Sequence, residues 1–93
     1  MTFLIVYELA QPAHNKEALI RKIKAYGTWA RITDSSYLVA TGTAGTADPV
    51  AVRNDLATVL IATDKLYVGV SNRPSAWKGL PEEVSKWILA NQV

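Results

Sequence analysis

The sequence predicts an α+β domain in the order strand, helix, strand, strand, helix, strand, helix. Three observations predict it. Thr2 to Leu9 is the longest nearly unbroken run of β-branched, aromatic and aliphatic residues, the composition of a strand rather than a surface helix. Asp34-Ser35-Ser36 separates two short β-rich runs, which reads as a hairpin. Two stretches of helical apolar spacing alternate with these strands, and a third follows the last of them.

Taken in order, the first strand does not alternate apolar with polar residues, so both its faces are expected to be covered and it belongs mid-sheet. Phe3, Ile5, Tyr7 and Leu9 project to one face; Leu4, Val6 and Glu8 project to the other. Gln11-Pro12 ends the pairing, because proline offers the ladder no amide hydrogen. Asn15 suits the N-cap of a helix from Lys16 to about Tyr26. Its apolar stripe is Leu19, Ile20 and Ile23, and Gly27 is expected to end it. Thr28 to Thr33 and Tyr37 to Thr41 are the hairpin strands, followed by a loop at Gly42 to Ala47. That loop carries no phosphate-cradling glycine motif.

Asp48 caps a second helix with Pro49 at its first position, and Val52, Leu56, Val59 and Leu60 share its buried face. Lys65 to Val70 is the fourth strand, where Gly69 allows a bulge or a close approach. Trp77, in the connection Ser71 to Gly79, reads as a plug on the last helix. That helix starts at Pro81-Glu82-Glu83, runs to about Asn91 and buries Val84, Trp87 and Ile88. The first six elements form the split βαβ, ferredoxin-like βαββαβ pattern: a four-stranded antiparallel sheet, with strands one and three central and an extra C-terminal helix.

With 93 residues the chain is a single domain, residues 1–93, and a domain of this size buries only about 60–65% of its unfolded surface. Burying a sheet face in a homodimer would add to that thin margin. Hydrophobic residues make up 49% and charged residues 19%, which excludes a disordered segment. Ten Lys and Arg against eight Asp and Glu leave +2, too mild a charge to identify a nucleic-acid binder. The absence of cysteine excludes thiolate chemistry and a disulfide scaffold, and it suits a cytoplasmic protein. The first apolar run is shorter than the roughly 20 residues of a membrane span and lacks a signal-peptide layout, so no membrane association is expected.

Few residues carry candidate chemistry. Glu8, at the end of the central strand, either holds a divalent cation or acts as a base, or else is a solvated strand end or an ion-pair partner of Arg31. Trp29 is the candidate for stacking on a base, beside Arg31; Arg73 is a loop candidate for an anion. Lys16, Arg21, Lys22 and Lys24 form the densest basic cluster, which normally means a solvated helix face. His14 reads as an exposed polar residue at a helix entrance, and nothing in the spacing assembles a Ser/His/Asp set.

Tyr7-Glu8, Ala25-Tyr26-Gly27-Thr28-Trp29, Asp34-Ser35-Ser36-Tyr37-Leu38-Val39 and Asp64-Lys65-Leu66-Tyr67-Val68 together resemble the small bacterial SinR-like proteins. These in turn resemble the CRISPR adaptation nucleases and VapD toxins. The resemblance implies a ferredoxin-like homodimer joined through its sheet face, acting on or near nucleic acid. In the nuclease relatives the first strand ends in Tyr-Asp, and the Asp serves magnesium-dependent phosphodiester cleavage at the dimer seam. Glu8 stands at that position, one methylene longer, so the resemblance implies Mg2+ at Glu8 with Arg31 and Arg73 neutralising phosphate. Some members of the wider family are non-catalytic adaptors, the alternative expectation for this chain.

Overall fold

A computed structural model describes residues 1–41 and 48–92. It contains β1 (Thr2–Glu8), α1 (Pro12–Lys24), β2 (Gly27–Thr33), β3 (Ser36–Thr41), α2 (Pro49–Ala57), β4 (Lys65–Val70) and α3 (Glu82–Asn91). The strands form one antiparallel sheet in the order β2-β3-β1-β4, consistent with the ferredoxin-like pattern. β1 is central: Phe3 lies opposite Val39 of β3 on one side and Val70 of β4 on the other. The loop expected at Gly42 to Ala47 lies outside the described residues. Among those described, no helix is long and apolar enough to cross a membrane.

Period-two alternation along β1 sends Phe3, Ile5 and Tyr7 into the core. There they meet Tyr37 and Val39 of β3, Leu19 and Ile23 of α1, and Val52 and Leu56 of α2. Each helix contributes residues four apart, one turn along a single face. Complete burial of side chains this large stabilises the fold by about 1.5–3 kcal/mol apiece before entropy is counted.

Several local expectations need correcting. Helix α1 begins at Pro12, not after an Asn15 cap, since the amide hydrogen proline lacks is one the first helical turn cannot use anyway. Asn15 turns inward and is buried; its amide donates to the Val59 carbonyl at 3.0 Å and to Asp64 Oδ2 at 2.9 Å. The helix closes at Ala25, whose N–H reaches the Arg21 carbonyl at 3.2 Å, and Gly27 instead opens β2. Asp48 does cap α2, accepting from the Ala51 N–H at 2.8 Å. That helix stops at Ala57, so Val59 and Leu60 pack on the core from the following turn. Gly69 makes no bulge: its ladder with β1 is regular, and the Tyr67 ring lies over it.

Among the described residues of one chain, the outer sheet face is covered on one side only. Helix α3 packs on β2, and Asn91 ties it down. The Asn91 carbonyl accepts from Thr2 Oγ1, and its side-chain oxygen accepts from Thr28 Oγ1 at 3.5 Å. Thr2, Ala30, Ser36 and Leu38 are buried on that side. Trp77 donates from Nε1 to Ser85 Oγ at 2.9 Å, as a plug on α3 would. Toward β4 the face is open, with Val6 36% and Tyr67 60% exposed.

Asp64 joins three connections. Its carboxylate accepts from the Ala10 N–H at 2.8 Å, the Ile61 N–H at 3.0 Å and Asn15. The Ile61 and Ala10 amides hold its carboxyl below the usual carboxylate range, and Asn15 adds to the effect. An acid depressed below its unfolded value of about 3.9 stabilises the fold above that pH and loses the contribution as pH falls through the folded value. Asp64→Ala should therefore unfold at lower urea than wild type at neutral pH, with the gap narrowing below about pH 4. A gap independent of pH would show that the carboxylate charge contributes nothing.

Candidate functional site at the end of the central strand

Because β1 and β4 run antiparallel, the last residue of one lies opposite the first of the other: Glu8 pairs with Lys65. The Lys65 Nζ stands 3.6 Å from Glu8 Oε1, and both side chains are 77% exposed. The ion pair expected between Glu8 and Arg31 does not form; Arg31 Nη1 instead approaches Asp34 Oδ1 at 3.8 Å. Glu8 is shared by two shallow clefts. One, about 230 Å³, runs along Leu9, Pro12, Lys16 and Asp34. The other, about 320 Å³, opens toward Val6, Lys65 and Tyr67. Tyr7 and Ser35 border both.

Tyr7 fixes this end of the sheet to the hairpin. Its backbone N–H donates to the Ser35 carbonyl at 2.9 Å and its hydroxyl to the Asp34 carbonyl at 3.0 Å. Burial, and secondarily Tyr37, push its phenol above the ordinary value, so it stays a protonated donor at neutral pH. The hydroxyl is thus a structural tie rather than a base.

The four candidate residues are not gathered into one site. Glu8 and Arg31 share one end of the sheet, with Asp34 between them. Trp29 is 41% exposed on β2, but Lys24 Nζ sits 4.2 Å from its ring centroid and Tyr37 lies 6.0 Å away, centroid to centroid. The ammonium occupies a ring face that a base would need. Arg73 lies beyond the other end of β1, just past the Ser71 N–H that donates to the Thr2 carbonyl. Its Nη2 donates to the Leu89 carbonyl at 2.5 Å.

Among the described residues no three His, Cys, Asp or Glu side chains come together as a metal site. At this end of the sheet one chain offers magnesium the Glu8 carboxylate, which already faces the Lys65 ammonium, with Asp34 along the same cleft. Magnesium is usually held by one or two carboxylates together with waters and substrate phosphates, so oxygen ligands would have to come from a second chain or a nucleic acid.

The sequence reading missed a polar bridge between α1 and α2. Asp55 accepts from Lys22 Nζ at 2.9 Å and from the Tyr26 hydroxyl at 2.5 Å. Those bonds, Tyr26 first, lower the Asp55 carboxyl, while burial and Asp55 raise the Tyr26 phenol. The apolar stripes of the two helices carry no information on polar cross-links.

Exposure of both partners makes the Glu8–Lys65 pair a weak stabiliser. Glu8→Gln should shift unfolding free energy by no more than about 0.5–1 kcal/mol in urea titration. A larger loss would mean that Glu8 is bound to something stronger than Lys65. Set against known proteins, the chain matches no family model, no curated protein and no solved structure.

Proposed function

We propose that the chain is a ferredoxin-like homodimeric interaction module that works in the cytoplasm as an assembly adaptor, without chemistry of its own. The observation that carries this reading is the open side of the outer sheet face. There Val6 and Tyr67 stand exposed beside an acid already answered by a base. Exposed aromatic and aliphatic surface rimmed by polar groups is the usual character of a protein-binding patch. Both charges of the Glu8–Lys65 pair flank the apolar residues, so the patch carries no excess of one sign. A self-complementary isologous contact requires such balance.

A second reading, nucleic-acid binding with metal-dependent cleavage, is favoured by the position of Glu8 on the border of that patch. A two-fold axis laid over the outer face would bring two Glu8 carboxylates toward each other. With Mg2+ they would then resemble the paired acids of CRISPR adaptation nucleases and VapD toxins. Arg31, at the same end of the sheet, would be the nearest phosphate contact, whereas Trp29 and Arg73 are engaged elsewhere.

Salt dependence separates the two. A nucleic-acid binder loses affinity with a log–log slope of about −0.9 per neutralised phosphate on duplex DNA. The adaptor reading expects no measurable binding of labelled DNA or RNA by fluorescence anisotropy, or an affinity indifferent to salt, and no magnesium-dependent cleavage. Cleavage by wild type that Glu8→Ala abolishes would overturn it.

A further inference from the structure

The sheet has two edges, and among the described residues only one is defended. Natural edge strands are kept from pairing with other chains by charges, irregularities or covering groups. β2 carries all three. Arg31 sits within it, its register with β3 shifts between Arg31 and Thr33, and Asn91 of α3 reaches Thr28. Lys24 also lies over Trp29. β4 carries none of these beyond its first residue. After Lys65 it reads Leu-Tyr-Val-Gly-Val, without proline, charge or bulge.

The unpaired groups on β4 can be assigned. The Ser71 N–H donates to the Thr2 carbonyl, so residues 71, 69, 67 and 65 direct their backbone groups toward β1. By the antiparallel alternation, the N–H and C=O groups of Leu66, Val68 and Val70 then point away from the sheet. Among the described residues, no turn, loop or cap hydrogen bond reaches any of them. An equally spaced set centred on Val68 is its own complement under a two-fold rotation.

We propose that β4 pairs antiparallel with β4 of a second copy of this chain about a two-fold axis at Val68, joining two four-stranded sheets into one. Val68 then faces Val68, Leu66 faces Val70, and about six inter-chain hydrogen bonds form, two for each hydrogen-bonded residue pair. In the same register Tyr67 of each protomer stands opposite Gly69 of the other. Within each chain its own Tyr67 ring already lies over Gly69: a Cβ there would come within 2.6 Å of the Tyr67 hydroxyl oxygen. The two Lys65 residues fall at opposite ends of the paired strands, roughly 20 Å apart at the usual rise per residue, so like charges do not meet. Helix α3 packs on β2, and toward this edge its C-terminal end meets the residues beyond β4, where Gln92 donates to Ser71 Oγ at 2.6 Å and Arg73 donates to the Leu89 carbonyl.

This inference rests on the reading of the chain as a self-associating module and places the seam at the sheet edge. The exposed Val6–Tyr67 patches of the two protomers become one surface across the seam. The Glu8 carboxylates, each beside its own Lys65, stay apart.

The decisive variant is Val68→Pro. It deletes one outward amide hydrogen, leaves the bonds to β1 intact, and sits where an edge strand tolerates proline. Light scattering should find wild type at twice the 10.2 kDa chain mass and Val68→Pro at the chain mass, with unchanged far-UV circular dichroism. Should Val68→Pro fail to fold, Val70→Pro removes another outward amide at a residue 44% exposed and is expected to give the same monomer. The chain has no cysteine, so Val68→Cys places a single thiol at the axis. Opposed Cα atoms in a hydrogen-bonded pair lie about 5.5 Å apart, within disulfide reach, and mild oxidation should yield a covalent dimer. A dimer that persists in a folded proline variant overturns the edge pairing and leaves the module reading standing. A wild-type monomer at every concentration tested overturns both.

Discussion

The double pairing of β1 is the constraint on which the rest of the fold depends. Its residues bond β3 on one side and β4 on the other, so every amide and carbonyl from Phe3 to Val6 has a partner within the sheet. A strand so held cannot slip by one residue without sending Phe3, Ile5 and Tyr7 out of the core and Val6 and Glu8 into it. The fixed register in turn sets where Glu8 and Lys65 meet and where the hairpin turn docks on Tyr7. It also sets which groups of β4 are left facing outward. The candidate site and the free edge are thus two consequences of one hydrogen-bonding pattern.

Around this strand the domain uses polar ties where apolar area is limited. Asp64 binds the segment after β1, the first turn of α1 and the segment after α2, an arrangement that links pieces far apart in sequence. Asp55 does the same between the two core helices. The first tie has a cost: Asn15 Oδ1 is buried with no partner among the described residues, and an unmet polar atom of that kind typically costs about 1–3 kcal/mol. Asn15 holds its place because its amide donates twice, so the gain and the cost belong to the same side chain.

Most of the fold was legible in the sequence, for local reasons. The residues that mark strand composition, the Asp34-Ser35 turn, the Asp48-Pro49 start of α2 and the Pro81-Glu82-Glu83 start of α3 act through short-range sterics and hydrogen bonds. Asn15 misled because a side chain suited to capping is equally suited to a buried amide contact, and only the tertiary neighbour Asp64 decides between them. Gly27 misled for a related reason: glycine serves a helix end or a strand start alike. The pairing of Glu8 with Lys65 was recoverable, since an antiparallel neighbour must set the end of β1 against the start of β4. The escape of Val6 from burial was not, because the apolar run shows what a strand can bury but not how far α3 extends across the sheet.

The reach of α3 across the sheet decides how the outer face is used. Helix α3 sits over β2, where charge, an irregular register and Asn91 already discourage pairing, and among the described residues it leaves the β4 side uncovered. Had the helix evolved only to seal the sheet, the apolar side bearing Val6 and Tyr67 would be the better place for it. Instead the shielding is concentrated on one edge, while the other keeps a run of Val, Gly and aromatic residues with outward amides. Strand pairing draws its strength from those amides and its register from the side chains beside them. An asymmetry of this kind would make the proposed self-association through β4 specific, since the competing edge is shielded.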